Sequence, residues 1–61
     1  MDLKIYIGKY VRIELANNFY YAGKVINADE NSLELIDKNN NNVSLRKELI
    51  LAIRECSNGK Y

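Results

Sequence analysis

Residues 11–15 alternate strictly: Val11, Ile13 and Leu15 are apolar, and Arg12 and Glu14 between them are charged. A two-residue period puts every apolar side chain on one face of an extended chain, so this stretch predicts a half-buried β-strand. Asn17 and Asn18 follow, a residue type that tolerates turns and left-handed backbone. The next run places Tyr21, Gly23 and Val25 on one face and Tyr20, Ala22 and Lys24 on the other. Together the two runs predict a hairpin whose register the apolar face constrains. A two-residue loop at Asn17-Asn18 pairs Leu15 with Tyr20 and splits the apolar residues between faces. A three-residue loop over 17–19 pairs Leu15 with Tyr21, Ile13 with Gly23 and Val11 with Val25, and keeps them together. Such loops end in a left-handed residue, a role that suits Asn18 better than Phe19.

The pattern continues downstream. Leu33 and Leu35 flank Glu34, while Val43 and Leu45 flank Ser44 across the asparagine run 39–42, which reads as a hairpin turn. Residues 49–53, Leu-Ile-Leu-Ala-Ile, are apolar at every position. Their brevity and β-branching favour a strand buried on both faces over a short helix. One face would meet the core. The other needs a cover, either a neighbouring subunit or the N-terminal segment through Leu3, Ile5 and Ile7. Residues 46–48 are left as a tight turn, and residues 2–7 as either one helical turn or a short strand. The expectation is an all-β fold: a small five-stranded, strongly bent antiparallel barrel with its N-terminal helix short or absent. One domain spans residues 1–55, followed by a polar, flexible tail at 56–61.

Composition narrows the function. With no His and a single Cys in 61 residues, the chain has neither a disulfide framework nor a plausible zinc site. A net charge of +1 excludes the global basicity of a polyanion coat. No apolar run approaches the ~20 residues of a membrane-spanning helix. There is no His base, no phosphate-cradling Gly-rich loop and no obvious carboxylate pair, so a non-enzymatic protein without cofactors is expected. The lone thiol, Cys56, reads as a buried small hydrophobe or an incidental thiol rather than a nucleophile, and a single thiol with no disulfide framework and no signal sequence points to the cytoplasm. Small domains usually need a staple, and oligomerisation is the one left open.

The residues also resemble a family. Gly8 to Leu15, then Asn17-Asn18, Tyr21 to Val25, Asp29-Glu30 and Leu33 to Leu35 are similar to the first motif of the Sm-like proteins: apolar–x–apolar–x–Leu, a turn, Gly–x–apolar, and an Asp opening a loop. Val43 to Ile53 resembles the second motif, in which an Arg follows an apolar residue and an Ile closes the strand. The resemblance covers residues 8–53. It implies a homo-oligomeric ring that binds single-stranded RNA, with Asn31, Ser32, Arg46 and Lys47 as pore-side contacts and Asp29 organising the loop. Val43, Leu45, Ile50, Leu51 and Ile53 would then form the subunit interface. The chain departs from the pattern in several places: the loop at 29–32 is one residue shorter, the N-terminal helix is cut to a few residues, and Asn18 stands where the family often has Gly. Asn31 stands where the family has a base-stacking side chain, Ser32 near its usual Asn, and Lys47 in place of a Gly. Stacking on an aromatic face is worth roughly 1–3 kcal/mol per base, so the resemblance implies modest RNA affinity here. A second reading stays open: a Src-homology-3-like barrel that contacts a protein partner through Tyr10, Phe19 and Tyr20.

Overall fold

The first hairpin sets the frame. Strand β1, Tyr10–Leu15, buries Val11, Ile13 and Leu15 and exposes or half-exposes the residues between them, as the alternation requires. Strand β2, Tyr20–Ala28, returns antiparallel to it. The computed structural model describes residues 2–56; the expected flexible tail, apart from Cys56, lies outside the described residues.

The register of this hairpin differs from the expectation by two residues. Ile13 lies opposite Tyr21 and Val11 opposite Gly23. The loop is Ala16-Asn17-Asn18, closed by the Leu15 N–H donating to the Phe19 carbonyl at 2.8 Å. The cause is local. In a three-residue hairpin loop the left-handed residue comes last, and the residue in that conformation is Asn18, at φ 70°. A loop at 17–19 would demand the same of Phe19, for which a left-handed backbone costs roughly 1–2 kcal/mol. A two-residue slip preserves the parity of every side chain, so the apolar pattern does not distinguish the two registers. Tyr21, opposite Ile13, is nevertheless 38% exposed and not part of the buried core expected of it.

Strands β3, Ser32–Ile36, β4, Asn42–Arg46, and β5, Ile50–Glu55, complete one antiparallel sheet in the order β4-β3-β2-β1-β5. The result is the expected all-β, strongly bent, barrel-like sheet. Strand β2 belongs to both halves: residues 20–24 pair with β1 and residues 24–28 with β3. Gly23 sits at the bend. A Cβ there would collide with the Ile36 carbonyl and lie 2.8 Å from its carbon.

Two bulges complete the curvature. In β2, Val25 pairs with Leu35 and Asn27 with Glu34, which leaves Ile26 as an extra residue. In β5, Ala52 pairs with Glu14 and Ile50 with Leu15, which leaves Leu51 extra. Each bulge lets two residues three apart, Val25 and Ala28 or Ile50 and Ile53, pack on the same core. The expectation that residues 49–53 form a strand buried on both faces is thereby corrected. Leu49 ends a 3₁₀ turn, Lys47–Leu49, and Leu51 is turned outward and 67% exposed. The apolar run serves one face and a bulge, not two buried faces.

The core is Leu3, Val11, Ile13, Leu15, Val25, Leu33, Leu35 and Leu45. Leu3 comes from a 3₁₀ turn, Leu3–Tyr6, started by the Asp2 carboxylate accepting the Lys4 N–H at 3.0 Å. This turn settles the helix-or-strand alternative for residues 2–7. It packs mainly on β2 and β3, Ile5 and Ile7 remain exposed, and Leu51 of β5 stays 67% exposed.

The backbone at two positions is open to test. Gly23→Ala should lower stability by about 1–3 kcal/mol in urea unfolding, since the methyl meets backbone that cannot swing aside. Asn18→Ala should cost ~1 kcal/mol while Asn18→Gly stays near the parent, because only the former is strained at positive φ.

Candidate functional site

The turn between β2 and β3 is built around one carboxylate. Asp29 Oδ1 accepts the Asn31 N–H at 2.7 Å, the Ser32 N–H at 2.8 Å and the Ser32 hydroxyl at 3.4 Å. The Asp29 N–H in turn donates to the Ser32 carbonyl at 2.9 Å. The backbone N–H groups of Asn31 and Ser32, then the Ser32 hydroxyl and the charge of Lys4, hold the Asp29 carboxyl below its ordinary value of 3.8. Asp29 is therefore the organiser of this loop.

The loop meets the end of β4 directly. Ser32 pairs with Arg46 in the β3–β4 ladder, and the Lys47 N–H donates to the Asn31 carbonyl at 2.8 Å. Sequence-distant candidates Asn31, Ser32, Arg46 and Lys47 thus share one end of the sheet. Ser32 lies in β3 and is half-buried, while Asn31, Arg46 and Lys47 are exposed.

Four further charged groups, Asp2, Lys4, Glu30 and Glu48, belong to this end and are not among the candidates. Asp2, Lys4 and Glu30 line a shallow depression of about 330 Å³ together with Lys47. Arg46 Nε lies 3.8 Å from the Glu48 carboxylate. Glu30 and Glu48 directly flank candidate residues in sequence, so adjacency alone is enough to flag them. Asp2 and Lys4 arrive only because the N-terminal 3₁₀ turn packs over β2 and β3. With Asp29, the carboxylates here outnumber the cations Lys4, Arg46 and Lys47.

The residues expected at a subunit interface separate into two groups. Leu45 is buried and committed to the core, and Val43, Ile50 and Ile53 pack partly against it. Only Leu51 presents most of its side chain outward. Their strands, β4 and β5, are nevertheless the two outermost of the sheet.

A second group of exposed residues lies on the β1–β2 side. Arg12 stacks over the Tyr20 ring with its guanidinium carbon 4.2 Å from the centroid, and Phe19 and Leu51 lie beside them. Tyr10 is half-buried, with Lys24 Nζ 5.9 Å from its ring centre. Phe19 and Tyr20 therefore share one surface, and Tyr10 sits further along the same hairpin.

Among the described residues no group of three or more His, Cys, Asp or Glu is placed to hold a metal ion, and no helix is long and apolar enough to cross a membrane. No family model, curated protein or solved structure matches the chain.

The turn carboxylates give a pH prediction. Asp37, which accepts the Asn41 N–H at 3.0 Å and the Asn39 N–H at 2.8 Å, is lowered like Asp29, chiefly by the Asn41 hydrogen bond. A carboxylate depressed in the folded state stabilises it above the unfolded value, and that contribution is lost as pH falls through the folded value. Stability should therefore decline below about pH 4. The Asp29→Asn, Asp37→Asn double variant should be less stable at neutral pH and show a flatter decline in denaturant titrations at stepped pH.

Proposed function

We propose that this chain is a cytoplasmic, non-catalytic, Sm-like subunit that assembles into a homo-oligomeric ring and binds single-stranded RNA. The observation that carries the reading is a juxtaposition. Asn31 and Ser32 meet Arg46 and Lys47 at one end of a bent sheet whose two outermost strands, β4 and β5, are unpaired edges among the described residues.

The edges supply the reason to assemble. Unpaired edge strands present free backbone donors and acceptors, and β5 carries the outward Leu51 beside its edge. Pairing β4 of one subunit with β5 of the next satisfies both edges and covers that side chain. Repetition then gathers one Arg46 and one Lys47 per subunit around a common opening, which multiplies a weak local charge. Glu30 and Glu48 oppose this field, so the reading carries modest affinity, strong salt dependence and little base preference.

Light scattering is the first test. A mass several times that of one chain supports the ring, and a stable monomer rejects it. Ile50→Asp should unfold the protein, because Ile50 packs on the core, whereas Leu51→Asp should leave it folded and reduce its mass. The ligand is tested by fluorescence anisotropy with short U-rich and A-rich RNAs at two salt concentrations. Arg46→Ala with Lys47→Ala should weaken binding and flatten the salt slope by ~0.7 for each phosphate no longer neutralised. Absence of binding at low salt by the assembled ring would reject the RNA reading.

A further inference from the structure

Strand β2 has a third, shorter edge. The Leu15 N–H donates to the Phe19 carbonyl at 2.8 Å, and the Val25 N–H to the Lys9 carbonyl at 2.9 Å. Hydrogen-bonded and non-bonded pairs alternate along an antiparallel ladder. Between these two rungs, Tyr21 and Gly23 therefore direct their backbone groups toward β1, and Tyr20 and Ala22 direct theirs the opposite way. On that side β3 accompanies β2 only from Lys24 to Ala28. At Asp37 the chain leaves the ladder for its own turn, closed by the Asp37 N–H donating to the Asn41 carbonyl at 3.1 Å. Among the described residues, the N–H and C=O groups of Tyr20 and Ala22 thus have no strand opposite them. They border a cleft of about 310 Å³ between Arg12, Tyr20, Tyr21 and Ala22 on one side and Asp37, Lys38 and Asn39 on the other.

The walls of this cleft are cationic and aromatic. Arg12 is held over Tyr20, and Lys38 stands on the opposite wall. The acid lining the cleft, Asp37, has its carboxylate turned into the Asn39 and Asn41 N–H groups. Glu14, next along the face from Arg12, lies 3.9 Å from Arg54. We propose that the cleft binds an acidic, extended peptide segment of a protein partner, which adds a short strand along Tyr20–Ala22. Backbone pairing supplies the anchor, the tyrosine rings receive alternate side chains, and carboxylates on the peptide meet Arg12 and Lys38. A peptide fits this edge better than a phosphodiester chain does. Tyr20 and Ala22 each offer a donor beside an acceptor, and a peptide backbone complements both, whereas a phosphate only accepts. Neither β4 nor β5 lines the cleft, so the inference stands apart from ring assembly.

The test is an NMR titration of the full chain with three probes: an acetylated Asp-Val-Glu-Val-Asp peptide, the same peptide with Lys for each acid, and a U-rich RNA hexamer. The acidic peptide should shift the Tyr20 and Ala22 amide signals and slow hydrogen exchange at Ala22 by about tenfold. The Lys peptide should do neither. N-methylation of the acidic peptide's backbone should abolish binding, and Arg12→Glu with Lys38→Glu should weaken it by about tenfold or more while the rest of the amide spectrum is retained. The proposal is overturned if the acidic peptide produces no shift at millimolar concentration. Shifts without protection of Ala22, unchanged binding of the N-methylated peptide, or occupation of these amides by the RNA in preference to the peptide would each overturn it as well.

Discussion

The close approach of β2 to the end of β3, where Gly23 lies against the Ile36 carbonyl, is the contact on which the architecture turns. One nine-residue strand serves two ladders, with β1 along its first half and β3 along its second. It does so only by bending, and the bend brings backbone so near that a side chain has no room. The bulge at Ile26 continues the same curvature. Curled in this way, the sheet encloses a core supplied mainly by alternate residues of β1 to β4, and Leu3 adds to it from the N-terminal turn. A flat sheet from the same strands would leave these side chains wet on one side.

The turns are shaped by side chains more than by glycine or proline. The chain has no Pro and three Gly. Asn18 and Asn40 take left-handed backbone at φ 70° and 64°. Asn17 accepts the Phe19 N–H at 3.1 Å, and Asp29 and Asp37 each gather two backbone N–H groups. Asn17, Asn18 and Asn40 thus shape turns that would otherwise call for glycine. At the β2–β3 turn the conformational role and the candidate ligand site coincide: the carboxylate that shapes the loop also presents Asn31 and Ser32 to the end of β4.

How much of this is legible in the sequence depends on parity. Alternation marks β1, β3 and β4 and assigns Val11, Ile13, Leu15, Leu33, Leu35 and Leu45 to one face. It does not choose between registers two residues apart, because both keep that face; the conformational preference of Asn18 over Phe19 decides. It also misleads at residues 49–53, since a bulge changes parity midway and makes a one-sided strand look two-sided. At the candidate site, the meeting of Asn31-Ser32 with Arg46-Lys47 is expected only if the Sm-like resemblance of the motifs is taken as a guide; the residues' own periodicity does not bring them together. The opposition of Glu30 and Glu48 is within reach of the sequence too, because both adjoin candidate residues. Lys4 and Asp2 are out of reach, because their place depends on how a four-residue 3₁₀ turn docks. The unpaired stretch of β2 is equally hidden, since it follows from where β3 stops rather than from any residue of β2.

The bulge at Leu51 has a consequence for the length of the chain. Six residues of β5 stand opposite five of β1, so the ladder spends one residue more than its rungs require. A chain shorter by that one position could keep Ile50 opposite Leu15 and Ala52 opposite Glu14 with both neighbours of the gap in register. Strand β5 is therefore a point where the fold carries slack: loss of Leu51 straightens the ladder locally instead of turning the whole strand over.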